Sequence, residues 1–305
     1  MKEESIFDTI VKKEPINKGW SNDRKYCIET ADGRRLLLRV SDITEFDRRK
    51  TEYEMVRRIA ALGVSMSVPV EFGACEDGVY SIYSWIDGED IKPVLPKLSE
   101  EEQYAFGLKA GEMLRMIHSI PAPENQANWQ ESFNRMAENK IRNYLGNAIE
   151  SKVHDYLGCG LRFEGDEYIL IYIEENRHLI KNRPLSFLHG DYHPGNMMLE
   201  NGELVIIDFN RCSYGDPWED FNCIEWDAAL SPHFATGQLR GYFGGEPPLD
   251  FFRTLAFYIA CNQLAYIHGA AIGLYDFDVM MNQARDVLAW YDNMNNPVPT
   301  WYLQA

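Results

Sequence analysis

A short run of residues, from His189 to Asn196, carries the side chains that phosphoryl transfer from a nucleotide requires. Its sequence is His-Gly-Asp-Tyr-His-Pro-Gly-Asn, which puts Asp191 and Asn196 on one loop. An apolar, strand-like segment occupies residues 204–207, and Asp208 comes directly after it. Phosphoryl transfer needs a carboxylate that orients or deprotonates the attacking hydroxyl, together with oxygen ligands that hold magnesium against the phosphates. The spacing therefore predicts a magnesium- and phosphate-binding site.

Each polar residue of this run has a predicted role. Asp191 is the predicted catalytic base, because a positioned carboxylate can accept the proton of a substrate hydroxyl. Asn196 and Asp208 are the predicted magnesium ligands, since hard cations prefer oxygen donors. His189 is expected to support the loop by hydrogen bonding rather than to transfer protons. Any one of these residues could merely form a turn, so the prediction depends on their combination.

The composition limits the class of protein and of partner. The chain has 305 residues and a formal net charge of −17, which argues against nucleic acid or an anionic membrane as partner. The same charge suits a small cationic substrate, or it simply keeps the surface soluble. The charged N-terminal residues predict no signal peptide. Six cysteines without a Cys-x-x-Cys pair favour a reducing cytoplasm. We expect a monomer or a weak dimer.

Patterning along the chain predicts an α+β fold with two lobes. Residues 1–87 are predicted to form a small, β-rich, nucleotide-binding lobe with one helix. It includes a hairpin turn at 31–34 and a helix that stops at Gly63. Residues 88–305 are predicted to form a larger, mainly helical lobe that carries the catalytic loop and the substrate site. One helix should begin after Ser99, and others should cover 249–268 and 276–291.

In the small lobe, two segments are candidates for phosphate contacts. Ser21 and Asn22 lie where a loop over the nucleotide would be expected, and their backbone N–H groups could approach phosphates, although a plain β-turn is equally compatible. Arg39 is a cation within a strand pattern and is predicted to grip the phosphates. Glu52 in the following helix is its predicted partner, with Glu54 as the competing acid.

The segment that follows the last strand of the small lobe is predicted to bind the base. The carbonyl of Ser84 and the N–H of Ile86 are the expected contacts to the purine edge. Tyr83 should lie at the back of this pocket, where its bulk is predicted to disfavour adenine and to admit guanine.

These residues together resemble the aminoglycoside phosphotransferase family, which has a protein-kinase-like fold. The resemblance lies in residues 189–196, in Ile207-Asp208-Phe209 and in the run from Gly215 to Phe221, and it spans nearly the whole chain. It implies transfer of the γ-phosphoryl group of ATP or GTP to a hydroxyl of a small molecule, with Mg²⁺ as cofactor. It also implies that Asp216 braces the catalytic loop. Arg39 departs from the family pattern, because many members have Lys there.

The sequence leaves several classes of phosphoryl acceptor open. An aminoglycoside-like amino sugar is the leading expectation, with a role in antibiotic resistance, and Glu225 and Asp227 are the predicted substrate contacts. A metabolic kinase for choline, an amino acid or a sugar is the alternative among enzymes. A nucleotide-binding pseudokinase with a regulatory role is the alternative of another class, although pseudokinases commonly lack one of the three residues Asp191, Asn196 and Asp208.

Overall fold

The computed structural model of the chain describes residues 5–17, 23–124, 129–145 and 160–304. Contacts divide the chain into two compact units. The first comprises Met1–Val94 with Pro194–Cys212, and the second comprises Leu95–His193 with Ser213–Ala305. The lobe boundary predicted after residue 87 stays a prediction, but the contacts join 88–94 and 194–212 to the N-terminal unit.

The strands in these residues are β1 (Ile10–Pro15), β2 (Arg24–Thr30), β3 (Arg35–Ser41), β4 (Pro69–Cys75), β5 (Gly78–Ser84), β6 (Glu89–Asp90), β7 (Ser186–Leu188), β8 (Met197–Glu200), β9 (Glu203–Ile206) and β10 (Ser213–Gly215). The α-helices are α1 (Phe46–Ala60), α2 (Glu100–Ile117), α3 (Trp129–Leu145), α4 (Asp166–Asn176), α5 (Ile224–Leu230), α6 (Pro232–Phe243), α7 (Leu249–Ala271) and α8 (Phe277–Trp290).

An antiparallel sheet with the strand order β1-β2-β3-β5-β4 forms the centre of the first unit. The predicted hairpin turn joins β2 to β3, and Gly33 adopts there a φ of +82°, which residues with a Cβ rarely reach. A second, smaller sheet has the order β6-β8-β9. The N–H of Ile206 at the end of β9 also donates to the carbonyl of Ser65 at 2.9 Å. These pairings explain why residues 194–212 belong to the N-terminal unit.

The two faces of the larger sheet differ in character. One face is apolar, and its buried residues are Ile28, Leu36, Leu38, Val40, Tyr80 and Ile82. Ile6, Phe7 and Ile10 from the N-terminal segment pack against it. Side chains alternate between the two faces along a strand, so Leu37 and Arg39 on β3 point the other way. This second face carries the polar site described below.

Glu71 on β4 ties the N-terminal segment to the sheet. Its carboxylate accepts hydrogen bonds from the N–H of Ile6 at 2.6 Å, the hydroxyl of Ser5 at 2.6 Å and the hydroxyl of Tyr80 at 2.5 Å. Burial acts to raise the pKa of Glu71, but the hydrogen bonds outweigh it and hold the pKa below its ordinary value of 4.5. The ionised carboxylate is therefore the form that anchors the segment.

In the second unit, α2 and α6 cross with almost no space between their backbones. A Cβ atom on Gly111 would lie 2.0 Å from the carbonyl oxygen of Gln238, and one on Gly241 would lie 2.0 Å from the carbonyl oxygen of Leu108. Contacts this short exclude any side chain larger than hydrogen. The glycines therefore set how closely the two helices approach.

The predicted helices of the second unit are present, with small differences at their ends. Ser99 caps α2 with a capping box, in which its hydroxyl accepts from the N–H of Glu102 and the Glu102 side chain accepts in return from the N–H of Ser99. Helix α7 runs slightly beyond the predicted residue 268, and α8 covers most of 276–291. Among the described helices, none combines the length and apolarity needed to cross a membrane.

Candidate active site

The loop that carries Asp191 is held in the second unit by one buried carboxylate. Asp220, which is 4% exposed, accepts hydrogen bonds from the N–H groups of His189 and Gly190, both at 2.7 Å. His118 at the end of α2 also contacts Asp220, with 2.9 Å between Nε2 and Oδ2. Two backbone donors and one imidazole thus fix the turn that precedes Asp191.

Asp191 itself lies at the surface of this braced loop. Its N–H donates to Nδ1 of the fully buried His189 at 3.3 Å, and its side chain is 23% exposed. The neighbouring Tyr192 is buried, and its hydroxyl donates to the carbonyl of Ala110 at 2.7 Å. His193 places Nε2 at 3.7 Å from Oδ1 of Asp191. The loop therefore presents a partly exposed carboxylate on a rigid backbone, and His189 supports it.

Asp216 does not make the contacts that were predicted for it. Its carboxylate accepts from Arg183 at 2.6 and 3.1 Å, from the hydroxyl of Tyr258 at 2.7 Å and from the N–H of Trp218 at 3.1 Å. The last contact caps the short 3-10 helix Pro217–Phe221. Asp216, at the cap, faces Arg183, whereas Asp220, about one helical turn later, faces the loop that carries Asp191. The brace predicted for Asp216 is thus provided by Asp220.

The first unit contains a cavity of about 340 Å³ on the second face of its sheet, which carries Leu37 and Arg39. The predicted site residues that line it are Arg39, Glu52, Ser84, Ile86, Asn196 and Asp208. Tyr83 also lines the cavity and is 7% exposed, with its ring centroid 6.1 Å from that of Tyr53. Burial raises the pKa of Tyr83 to about 12, so the phenol is neutral. Ser21 and Asn22 lie outside the described residues.

Arg39 is paired with different acids from the one predicted. Its guanidinium contacts Asp23 at 2.7 Å and Asp208 at 3.4 Å. Glu52 instead pairs with Arg49 at 2.9 Å, because the two residues are one turn apart on α1. Arg49 also contacts Asp23. The predicted Arg39–Glu52 pair is therefore wrong, and Asp23 connects the two arginines.

Asp23 is a buried anion held by several donors. Its side chain is 3% exposed, and it accepts from Arg39, Arg49 and the hydroxyl of Ser41. Burial alone would raise the pKa of Asp23, but attraction to the two arginines and the bond from Ser41 hold the pKa below its ordinary value. This carboxylate stays charged and keeps Arg39 in place.

Asn196 and Asp208 have the chemistry of a magnesium site. Both line the cavity, and the N–H of Ile207 donates to the carbonyl of Asn196 at 3.0 Å, which ties the two segments together. Asp208 adopts a φ of +65°, in the left-handed region. One amide oxygen and one carboxylate fit Mg²⁺, because this ion keeps several waters and phosphate oxygens in its shell.

The segment predicted to bind the base makes hydrogen bonds of its own at the end of β5. The Ser84 carbonyl accepts from the hydroxyl of Ser67 at 2.7 Å, and its N–H donates to the carbonyl of Val68 at 2.8 Å. Both backbone groups of Ser84 thus help to hold the strand end, and because a carbonyl oxygen has two lone pairs, its contact with the purine stays a prediction. Ile86 lies outside the strand and lines the cavity. Its N–H has no hydrogen-bond partner among the described residues.

A comparison with family models decides the family. The model described as the phosphotransferase enzyme family matches residues 13–252, which is most of the chain. The chain belongs to this family. It is a phosphotransferase, and its acceptor is a hydroxyl group of a small molecule. No curated protein matches the sequence.

Solved structures of phosphotransferases share the fold at low sequence identity. A streptomycin–ATP complex of aminoglycoside phosphotransferase APH(2")-IIa is 20% identical with a TM-score of 0.58, covering 97% of this chain and 94% of that one. A GDP complex of aminoglycoside 2'-phosphotransferase-IIIa is 15% identical with a TM-score of 0.60, covering 94% of each chain. Amicoumacin kinase hAmiN, with AMP-PNP, Ca²⁺ and Ami, is 15% identical with a TM-score of 0.59, covering 94% and 90%. The α+β, protein-kinase-like fold is confirmed.

The two acids predicted for substrate binding in this phosphotransferase are in the protein interior. Glu225 is fully buried on α5, and Asp227 is 1% exposed. The amides of Gln263 and Gln283 donate to Glu225 at 3.4 and 3.5 Å. Burial raises the pKa of Glu225 well above its ordinary value. Both carboxylates are buried in this structure, and their contact with a substrate stays a prediction.

For three residues the structure shows contacts or positions that were not predicted from the sequence. Asp220 and Asp23 hold the catalytic loop and Arg39, as described above. Lys25 on β2 lines the cavity. The hairpin turn at 31–34 was a usable signal, because its register places Lys25 directly opposite Arg39 on β3.

Proposed function

We propose that this phosphotransferase is a magnesium-dependent small-molecule kinase that uses ATP or GTP and acts on an amino sugar. The observation that carries the proposal is the cavity in the first unit. It is lined by two cationic residues, Lys25 and Arg39, together with Asn196 and Asp208. A cation and two oxygen ligands on one wall are what a magnesium–triphosphate requires. Asp191, the proposed base, lies on the same loop as Asn196, five residues before it.

In the proposed reaction, Asp191 orients the acceptor hydroxyl and accepts its proton. The hydroxyl oxygen forms a bond to the γ-phosphorus, and the bond from that phosphorus to the β-phosphate oxygen breaks to release the nucleoside diphosphate. Magnesium, when held by Asn196 and Asp208, would neutralise charge on the phosphates. A positioned base of this kind contributes about 10²–10⁴-fold to the rate. Asp191→Asn should therefore lower kcat by that order and leave nucleotide affinity close to wild type.

The choice of purine is proposed to depend on Tyr83. This neutral side chain fills the back of the cavity. The N–H of Ile86 is proposed to contact the edge of the base. We expect the bulk of Tyr83 to favour GTP, and Tyr83→Leu to raise kcat/KM for ATP relative to GTP. Equal turnover of ATP and GTP by the wild type would contradict this reading.

An amino-sugar acceptor is supported by the charge of the chain. The net charge of −17 attracts polycations, and solved relatives in the comparison include a streptomycin complex. If the acceptor is an aminoglycoside, phosphorylation would confer antibiotic resistance on the cell that makes the enzyme. Glu225 and Asp227 are buried in this structure, so we expect other carboxylates to contribute to contacts with such a substrate.

A metabolic kinase is the second candidate, and one observation favours it. Burial raises the pKa of Glu225 well above its ordinary value, which disfavours the charged form that would recognise an amine. A sugar or an amino acid, which needs fewer anionic contacts than a polycation, would fit such an interior equally well.

The decisive experiment is a phosphorylation screen of the full chain. The panel should include aminoglycosides, macrolides, choline, amino acids and sugars, each with ATP and GTP and with or without Mg²⁺. Transfer of γ-phosphate to an aminoglycoside, abolished by Asp191→Asn and by chelation of Mg²⁺, is the expected result. Transfer only to a neutral sugar would contradict the amino-sugar acceptor and support a sugar kinase. Nucleotide binding without turnover on any acceptor would favour a pseudokinase.

A further inference from the structure

Lys25 is a cation that lies next to a second cation, Arg39, on the neighbouring strand. It lies on β2 directly opposite Arg39 on β3, and both side chains line the cavity. Two like charges opposite each other on neighbouring strands repel and destabilise the pair. Such an arrangement is retained where an anion comes between or beside the two cations.

The two cations differ in how they are neutralised within the protein. Arg39 contacts the carboxylates of Asp23 and Asp208. Lys25 has no carboxylate within 4.0 Å among the described residues. Burial lowers the pKa of Lys25 and repulsion from Arg39 adds to this, while attraction to Asp208 and Asp23, both beyond ion-pair distance, opposes it. Of the two cations, Arg39 forms ion pairs with carboxylates, whereas Lys25 forms none among the described residues.

The other charged residues around the cavity do not change this difference. Glu52 is paired with Arg49, and Asp87 with Arg35 at 3.3 Å. Asp208 is engaged by Arg39 and is the proposed metal ligand. Lys25 therefore lines the cavity without an ion pair of its own among the described residues, and a bound anion can contact it.

We propose that Lys25 is the residue that binds the phosphates of the nucleotide, and that Arg39 is a positioning residue. Arg39 holds Asp208 and Asp23 in place, because its planar fork is already shared between two carboxylates. Lys25 supplies a compact ammonium on a flexible stem, which suits a phosphate as a point charge. This proposal rests on the proposed kinase function and concerns only the donor side of its site.

The test measures binding of ATP, ADP and adenosine, and in parallel of GTP, GDP and guanosine, to the full-length protein by calorimetry; the comparisons below apply to whichever purine series the wild type binds. The variants are Lys25→Met, Lys25→Arg and the matched control Lys92→Met, whose side chain is exposed and does not line the cavity. Removing one charged hydrogen bond to phosphate should weaken ATP binding about 10- to 100-fold. Affinity for adenosine should stay unchanged, which also shows that the variant is folded. Lys25→Arg should recover part of the loss.

Steady-state kinetics with the acceptor found in the screen provides the second readout. Lys25→Met should raise KM for ATP by a similar factor, and the control should behave as wild type. The proposal is overturned if Lys25→Met binds ATP within twofold of wild type, or loses adenosine and ATP affinity equally. A wild-type protein that binds no nucleotide at all would instead overturn the proposed kinase function.

Discussion

Removing the carboxylate of Asp220 should loosen the catalytic loop without touching Asp191. Asp220 accepts from the N–H groups of His189 and Gly190 at 2.7 Å, and from these two contacts the loop takes its shape. Asp220→Ala leaves both donors without an acceptor. Asp220→Asn keeps one oxygen but turns an NH₂ group towards the other donor. The two variants should therefore form a graded series.

The size of the effect follows from the burial of the two donors. An unsatisfied buried N–H costs about 1–3 kcal/mol. His189 is fully buried and should incur this cost, whereas Gly190 is exposed and can find water. For Asp220→Ala we therefore expect a loss of about 1–3 kcal/mol, and for Asp220→Asn about half of it.

Hydrogen exchange of the backbone amides, followed by mass spectrometry, measures this loss where it occurs. A local destabilisation of about 2 kcal/mol raises the open population about 30-fold, so peptides covering residues 186–193 should exchange faster by that factor. Turnover should fall about 10- to 100-fold, because a displacement of about 1 Å at a catalytic group has effects of that size. Asp286→Ala, at an exposed position on α8, is the control.

Two outcomes would refute this reasoning. Unchanged exchange in residues 186–193 of Asp220→Ala would mean that the two backbone bonds do not hold the loop. Reduced turnover with unchanged exchange and unchanged KM would mean that Asp220 acts on the reaction in some other way.

The remaining predictions concern stability. Gly111→Ala should destabilise the protein by more than about 3 kcal/mol in urea unfolding, because its Cβ would lie 2.0 Å from the carbonyl oxygen of Gln238, while Glu112→Ala on the exposed face should change little. Glu71 has a lowered pKa, so its contribution to stability is present above pH 4.5 and is lost as the pH falls through its folded-state pKa. Thermal unfolding of Glu71→Gln should accordingly lose part of the acid dependence seen in the wild type; an identical pH profile would contradict this.

The parts of the site that could be predicted from sequence depend on spacing within a short segment. Asp191 and Asn196 share one loop, and β8 begins directly after this loop. Asp208 comes just after β9, the strand that pairs with β8. Such local geometry is fixed by a few consecutive backbone angles, so the pattern of residue types is enough to recognise it. The hairpin at 31–34 was predictable for the same reason.

Choices between alternative partners were not predictable, because they depend on distant parts of the chain. Arg39 could meet Glu52, Glu54 or Asp23, and the register of β2 against β3 decides among them. Asp216 and Asp220 differ by about one helical turn, so the phase of a short 3-10 helix determines which carboxylate faces the loop. Carboxylates on a helix usually face solvent, and nothing local to Glu225 indicates that α5 is buried.

The left-handed backbone of Asp208 affects how its role should be measured. At a φ of +65°, a residue with a Cβ carries a strain of about 1–2 kcal/mol, which Asn and Asp tolerate better than most. An alanine substitution there would combine loss of the carboxylate with a change in backbone energy, and the two effects could not be separated in one rate constant. Asparagine keeps both the shape and the backbone preference. Asp208→Asn is therefore the variant whose kinetics report on the charge alone.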